Sequence, residues 1–133
     1  MAGSTTDIGK SYERGNPWPD LVMAMLAVNK FSLSKVFTLF EALDANNLFD
    51  PESLARWDTQ EIARRLIAAS YDRGPKLTAI LAERLWSLRE LGTDFAVSEK
   101  ILARGSKEEI EALLKKVKGV GPMVLEDFFL LRS

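Results

Sequence analysis

The chain has 133 residues, 47% of them hydrophobic and 28% charged, and a net charge of −1, which is the make-up of one globular domain with enough apolar material for a core. It contains no cysteine and no histidine, so disulfides, thiolate metal sites and iron–sulfur clusters are excluded, as are the usual general base and the usual zinc ligand. The near-neutral total argues against coating a polyanion over a broad face but allows a small local site.

Residues 1–16 are polar and rich in Gly, Ser and Thr, and read as a loose arm with no signal-peptide core. The longest strongly apolar run, Leu21 to Val28, is far short of the ~20 residues that span a bilayer. The expectation is therefore a cytoplasmic protein with no membrane contact.

Helical signals follow in close succession. Pro17 and Pro19 precede Asp20 to Val28, apolar on nearly all sides and so expected to be central and buried. Ser32 suits the cap of a second helix through about Leu43, with Val36, Phe37, Leu39, Phe40 and Leu43 as its stripe, and Asp44 to Asn47 reads as a turn. Asp50-Pro51 opens a short helix in which Leu54 and Trp57 are the apolar contacts. Thr59 is expected to cap the next, whose Ile62, Leu66 and Ile67 recur at helical spacing until Tyr71 to Gly74 break it. Pro75 opens a long helix to about Leu91, stopped by Gly92. Phe95 to Arg104 is a shorter helix ended by Gly105. Ser106 and Glu109 form a capping box for a helix to Val117, and Pro122 opens the last, from Met123 to about Arg132. No segment alternates with period two, so the expectation is an all-α fold of seven or eight helices, one domain over residues 17–133.

The segment 106–133 reads as a helix-hairpin-helix. Gly119 suits the left-handed conformation that ends a helix. Val120 suits a side chain turned back between the helices. Gly121 leaves an amide bare before Pro122, which donates no hydrogen bond and fits a first helical turn. The amides of Gly121, Met123 and Val124 then sit at the positive end of a helix dipole, suited to an anion such as a phosphate. Lys115, Lys116 and Lys118 lie close in sequence. A plain αα-hairpin has the same syntax, and Tyr71 to Lys76 is a second example in this chain. The glutamates Glu108, Glu109 and Glu111 balance the lysines.

GVGPM after a leucine-rich helix resembles the helix-hairpin-helix of endonuclease III-like DNA glycosylases. NPWPDLVMAMLAVN resembles the buried helix with which that domain begins, and DPESLARWDTQEIARRLIAASYDRGPKLTAILAERL its next helices, so the likeness covers roughly residues 16–131 in order. It implies a DNA-glycosylase-like fold and duplex DNA, bound without sequence preference, as partner through Lys115, Lys116, Lys118, Gly119, Val120, Gly121, Met123 and Val124. Asn29 and Lys30 fall in the region of the family's intercalating wedge, and Arg73 and Lys76 in a loop that carries a basic residue there.

The departures from the family bear on chemistry. Met123 stands where the bifunctional enzymes have a catalytic lysine, and a thioether forms no Schiff base. The family's essential aspartate lies beyond the second hairpin helix, and the sequence ends at Ser133. Leu125 replaces a small residue, so the hairpin helices are expected to sit further apart. Glu126 and Asp127 are adjacent and point about 100° apart on a helix, which suits a solvated face better than a paired catalytic site. Trp18, Trp57 and Trp86 sit among apolar neighbours and read as packing residues. The resemblance implies DNA binding, and these departures from it the lack of a catalytic residue; no metal or cofactor is expected. Two alternatives stay open: a glycosylase with a non-standard or partner-supplied acid, and a helical interaction module with a homo-oligomer or protein partner.

Overall fold

A computed structural model describes residues 15–92 and 94–133; most of the expected N-terminal arm lies outside them. The described residues are all-α, with nine α-helices and one 3₁₀ segment. None of these helices is long and apolar enough to cross a membrane.

Helix α1 (Trp18–Leu26) is the centre of the fold, with every one of its residues buried, as its all-round apolar sequence requires. Its single acid, Asp20, is fully buried and accepts a hydrogen bond from Arg132 at 2.9 Å, tying the first helix to the end of the last. Helices α2 (Leu33–Phe37) and α3 (Phe40–Ala45) stand where one continuous helix was expected. The break has a local cause: the Thr38 hydroxyl donates to the Lys35 carbonyl at 2.6 Å, and the Leu39 amide reaches back only to Val36. Such side-chain bonds compete with the helical ladder. The following turn comes slightly late, with Asn47 at φ +59°.

Helix α4 (Pro51–Arg56) begins at an Asp50 cap. Helix α5 (Thr59–Ala68) is capped by Asp58 rather than Thr59, the Asp58 carboxylate accepting from the Glu61 amide at 2.8 Å. Glu61 is also bonded by Arg64 and Arg65, which hold its carboxyl down to about 2 from the ordinary 4.5. A depressed carboxyl stabilises above its unfolded value and stops doing so as the pH falls through its folded value. Acid unfolding should thus show a small loss between pH 4.5 and 2 that Glu61→Gln abolishes.

Helix α6 (Pro75–Trp86) packs against α5 and α1. It gives way to 3₁₀ geometry over Ser87–Leu91, where an unbroken helix was expected. Ser87 donates its hydroxyl back to the Glu83 carbonyl at 3.1 Å, at the point where the winding tightens. Helices α7 (Phe95–Arg104), α8 (Lys107–Leu114) and α9 (Pro122–Arg132) complete the chain. One core joins α1 to Leu102 of α7, Ile110 and Leu114 of α8, and Val124 and Phe128 of α9.

Tyr71, in the loop between α5 and α6, is fully buried and donates to the Leu26 carbonyl at the end of α1. Burial pushes its phenol up, against the opposing effect of Arg73. Tyr71→Phe should strand that carbonyl and lower stability by about 1–3 kcal/mol in urea unfolding.

Candidate functional site

The hairpin is assembled from α8 and α9. The capping box at the start of α8 is complete: the Ser106 hydroxyl accepts from the Glu109 amide at 3.1 Å, and the Glu109 carboxylate accepts from the Ser106 amide at 2.8 Å. Ile110, Leu114 and Val117 are buried. The α-helix ends at Leu114, three residues before the expected Val117, because the chain tightens there. The Lys116, Val117 and Val120 amides bond to the carbonyls of Leu113, Leu114 and Val117.

Gly119 has φ +93°, a conformation that L side chains rarely adopt. Space at that point is also taken. A Cβ on Gly119 would lie 2.6 Å from both Cγ and Cδ of Arg84 and 3.0 Å from its Cβ. Val120 is half-buried and packs against the core. Gly121 caps α9 with ordinary extended backbone, and a Cβ there would meet nothing within 4 Å. Pro122 is the first helical residue and no side chain caps the helix. The Leu125 amide bonds to the Gly121 carbonyl at 3.0 Å. Among the described residues, no backbone or capping bond engages the amides of Gly121, Met123 and Val124. The start of α9 thus leaves these donors without a backbone or capping partner, with Met123 69% exposed, Gly121 half-buried and Val124 buried.

The three lysines differ in surroundings. Lys118 pairs with Glu83 of α6 at 3.6 Å, both side chains well exposed. Lys116 shares a shallow cleft with Glu90 and Asp94. Lys115 lines the groove of about 490 Å³ between α8 and α9, together with Glu111, Leu125, Glu126 and Phe129. Among the described residues, the Arg84 side chain makes no hydrogen bond or ion pair, though Glu83 precedes it in sequence. It is a cation of this region that sequence reasoning missed, because it arrives from α6 and no local pattern links it to the turn.

Asn29 and Lys30 are exposed and both have positive φ, +54° and +70°. Consecutive non-glycine residues in this region cost of order 1–3 kcal/mol each and persist only where surroundings hold them. Arg73 supplies the hold. Its guanidinium donates to the carbonyls of Val28, at 3.0 Å, and Asn29, and lies 4.9 Å from the Phe31 ring centre. Arg73 therefore shapes the Asn29–Lys30 loop from beneath. Lys76 is exposed on the first turn of α6, and the Asp72 carboxylate accepts from the Gly74 amide at 2.9 Å.

The tryptophans are packing residues. Trp18 is buried and donates its indole N–H to Glu99 at 2.8 Å. Trp57 lies 3.9 Å beneath Arg65, and Trp86 4.1 Å beneath Arg89. Glu126 is exposed and Asp127 half-buried. The Asp127 carboxyl is pushed up, first by burial and then by Glu126. A second cleft, about 450 Å³, is lined by Asp44, Asp50, Glu52 and Glu99 beside Trp18 and Phe49. Asp50 there is engaged by the Glu52 amide and the Ser53 hydroxyl. No group of described acidic residues is placed to hold a metal ion.

Comparison with models of known protein families, with characterised proteins and with solved structures finds no match.

Proposed function

We propose that the chain is a DNA-binding helix-hairpin-helix protein, related in fold to the endonuclease III-like glycosylases, that holds duplex DNA by its phosphate backbone and carries no catalytic residue of its own. The observation that supports this reading best is the α8–α9 turn. Gly119 at φ +93° and the uncapped start of α9 leave three amides without a backbone or capping partner at the positive end of an 11-residue helix, the arrangement that favours an anion. The Asn29–Lys30 loop, pinned by Arg73, is the proposed minor contact. Phosphate contacts position a protein without reading sequence, so binding is sequence-tolerant.

A fluorescence-anisotropy titration with a short duplex tests the reading. Affinity at physiological salt should fall near the non-specific range of about 10⁻⁴ to 10⁻⁶ M, with log affinity falling on log salt with a slope of roughly −2 to −4 for two to four phosphates. Gly121→Pro, which removes an open amide, should weaken binding more than Lys107→Ala on the far end of α8. Absence of binding at low salt, or a salt-independent titration, would reject the proposal.

One observation favours a second reading, a helical interaction module. On α9, Met123 and Leu130 are 69% and 63% exposed, and their seven-residue spacing puts both on one face of the helix, available to a partner. Sedimentation across a wide concentration range separates the two: self-association with no DNA binding supports the second.

A further inference from the structure

A cationic side chain reaches the Gly119 turn from α6 rather than from the hairpin itself. We infer that Arg84 is a phosphate-contacting residue of the hairpin, and that Glu83 withholds Lys118 from the same role. The inference rests on the DNA-binding reading and adds to it a residue that the hairpin pattern does not contain.

The packing comes first. The stem of Arg84, from Cβ through Cδ, occupies the space a side chain on Gly119 would need, with Cγ and Cδ each 2.6 Å from the position of that missing Cβ. The guanidinium begins one bond beyond Cδ, so the charge is carried to the Gly119 turn by a stem packed against it. Packing of the stem lowers the entropy lost when the head group binds. A guanidinium also offers several donors in a planar fork that matches phosphate oxygens.

The charges around it come second. Lys118 lies 3.6 Å from Glu83 in an exposed pair, Lys116 lines a cleft together with Glu90 and Asp94, and Lys115 lines a groove together with Glu111, Glu126 and Lys107. Among the described residues, no hydrogen bond or ion pair engages the Arg84 guanidinium. Glu83 and Arg84 are adjacent on α6 and point about 100° apart, so the acid turns to Lys118 while the arginine stem lies on Gly119. Packing alone would be served by an uncharged stem such as methionine. A position in the last turn of α6 also favours a cation through the helix dipole, but that effect acts on stability and not on DNA affinity.

The test uses the full chain and a fluorescent duplex at low and moderate salt, with thermal melting of every variant. Arg84→Met keeps most of the stem and removes the charge. It should melt near the parent, bind about five-fold or more weakly at low salt, and show a salt slope shallower by about 1. Arg84→Lys should recover part of the loss, and Lys118→Met should cost less than Arg84→Met. Glu83→Gln releases Lys118 and should strengthen binding. Parent-like binding by Arg84→Met, or an equal loss in Lys118→Met, would overturn the inference while the DNA-binding reading survives. If Arg84→Met does not fold, unchanged binding by Glu83→Gln overturns it. If the parent chain itself does not bind duplex DNA, the reading beneath it fails instead.

Discussion

Phe128→Ala is expected to lower the unfolding free energy by about 3–5 kcal/mol, the range for truncating a buried aromatic ring. Phe128 has no exposed surface and belongs, with Val124, to the face of α9 that enters the core. Its ring lies 5.9 Å from that of Phe129. A loss of this size is a large share of the roughly 5–15 kcal/mol that holds a domain of this kind folded. Urea unfolding checks it, with Met123→Ala as the contrast. Met123 is 69% exposed, so that change should stay within about 0.5 kcal/mol. A mild Phe128→Ala would mean that α9 is not anchored as described.

Gly119→Ala should cost about 2 kcal/mol or more, from two separate causes. A side chain at positive φ carries a penalty of roughly 1–2 kcal/mol. The new methyl would also press on the Arg84 stem at 2.6 Å, and overpacking typically costs about 1–3 kcal/mol where neighbours cannot yield. Arg84 is part-exposed, so some of the second cost is relieved by movement of its side chain. That same movement would shift the guanidinium, so DNA affinity should fall along with stability. Gly121→Ala is the control. Its backbone is ordinary and the space is open, so its stability should change little. Equal melting temperatures for the two variants would contradict this account of the turn.

The sequence revealed the fold class and most of the turn chemistry because those depend on neighbours a few residues apart. The proline starts at Pro51, Pro75 and Pro122, the Ser106–Glu109 capping box and the left-handed Gly119 are all local devices. The all-round apolar Leu21 to Val28 marked the central helix for the same reason. Two helices expected to run on were cut short where a hydroxyl, on Thr38 or on Ser87, bonds to a carbonyl behind it. A hydrophobic stripe does not register such competition, since the stripe continues across the break. The cap moved from Thr59 to Asp58 because both residues are good caps and only geometry chooses between them.

The candidate site's turn was legible along the chain, and the contacts across the fold were not. The open amides of α9 follow from Gly-Pro spacing. The Arg84 stem on Gly119, the Glu83–Lys118 pair and the hold of Arg73 on the Asn29–Lys30 loop each join residues far apart in sequence. Nothing in a single sequence pairs them. Arg73, singled out as a contact to a partner, has its guanidinium turned to backbone carbonyls of its own chain.

The most direct test follows the backbone amides themselves. A ¹⁵N-labelled sample titrated with a short duplex at low salt reports each amide by its chemical shift. The account predicts that Gly121, Met123 and Val124 move most, with Gly119 close behind, and that added salt reverses the shifts. Shifts concentrated elsewhere on the surface, or none at the hairpin while binding is seen by other means, would contradict it.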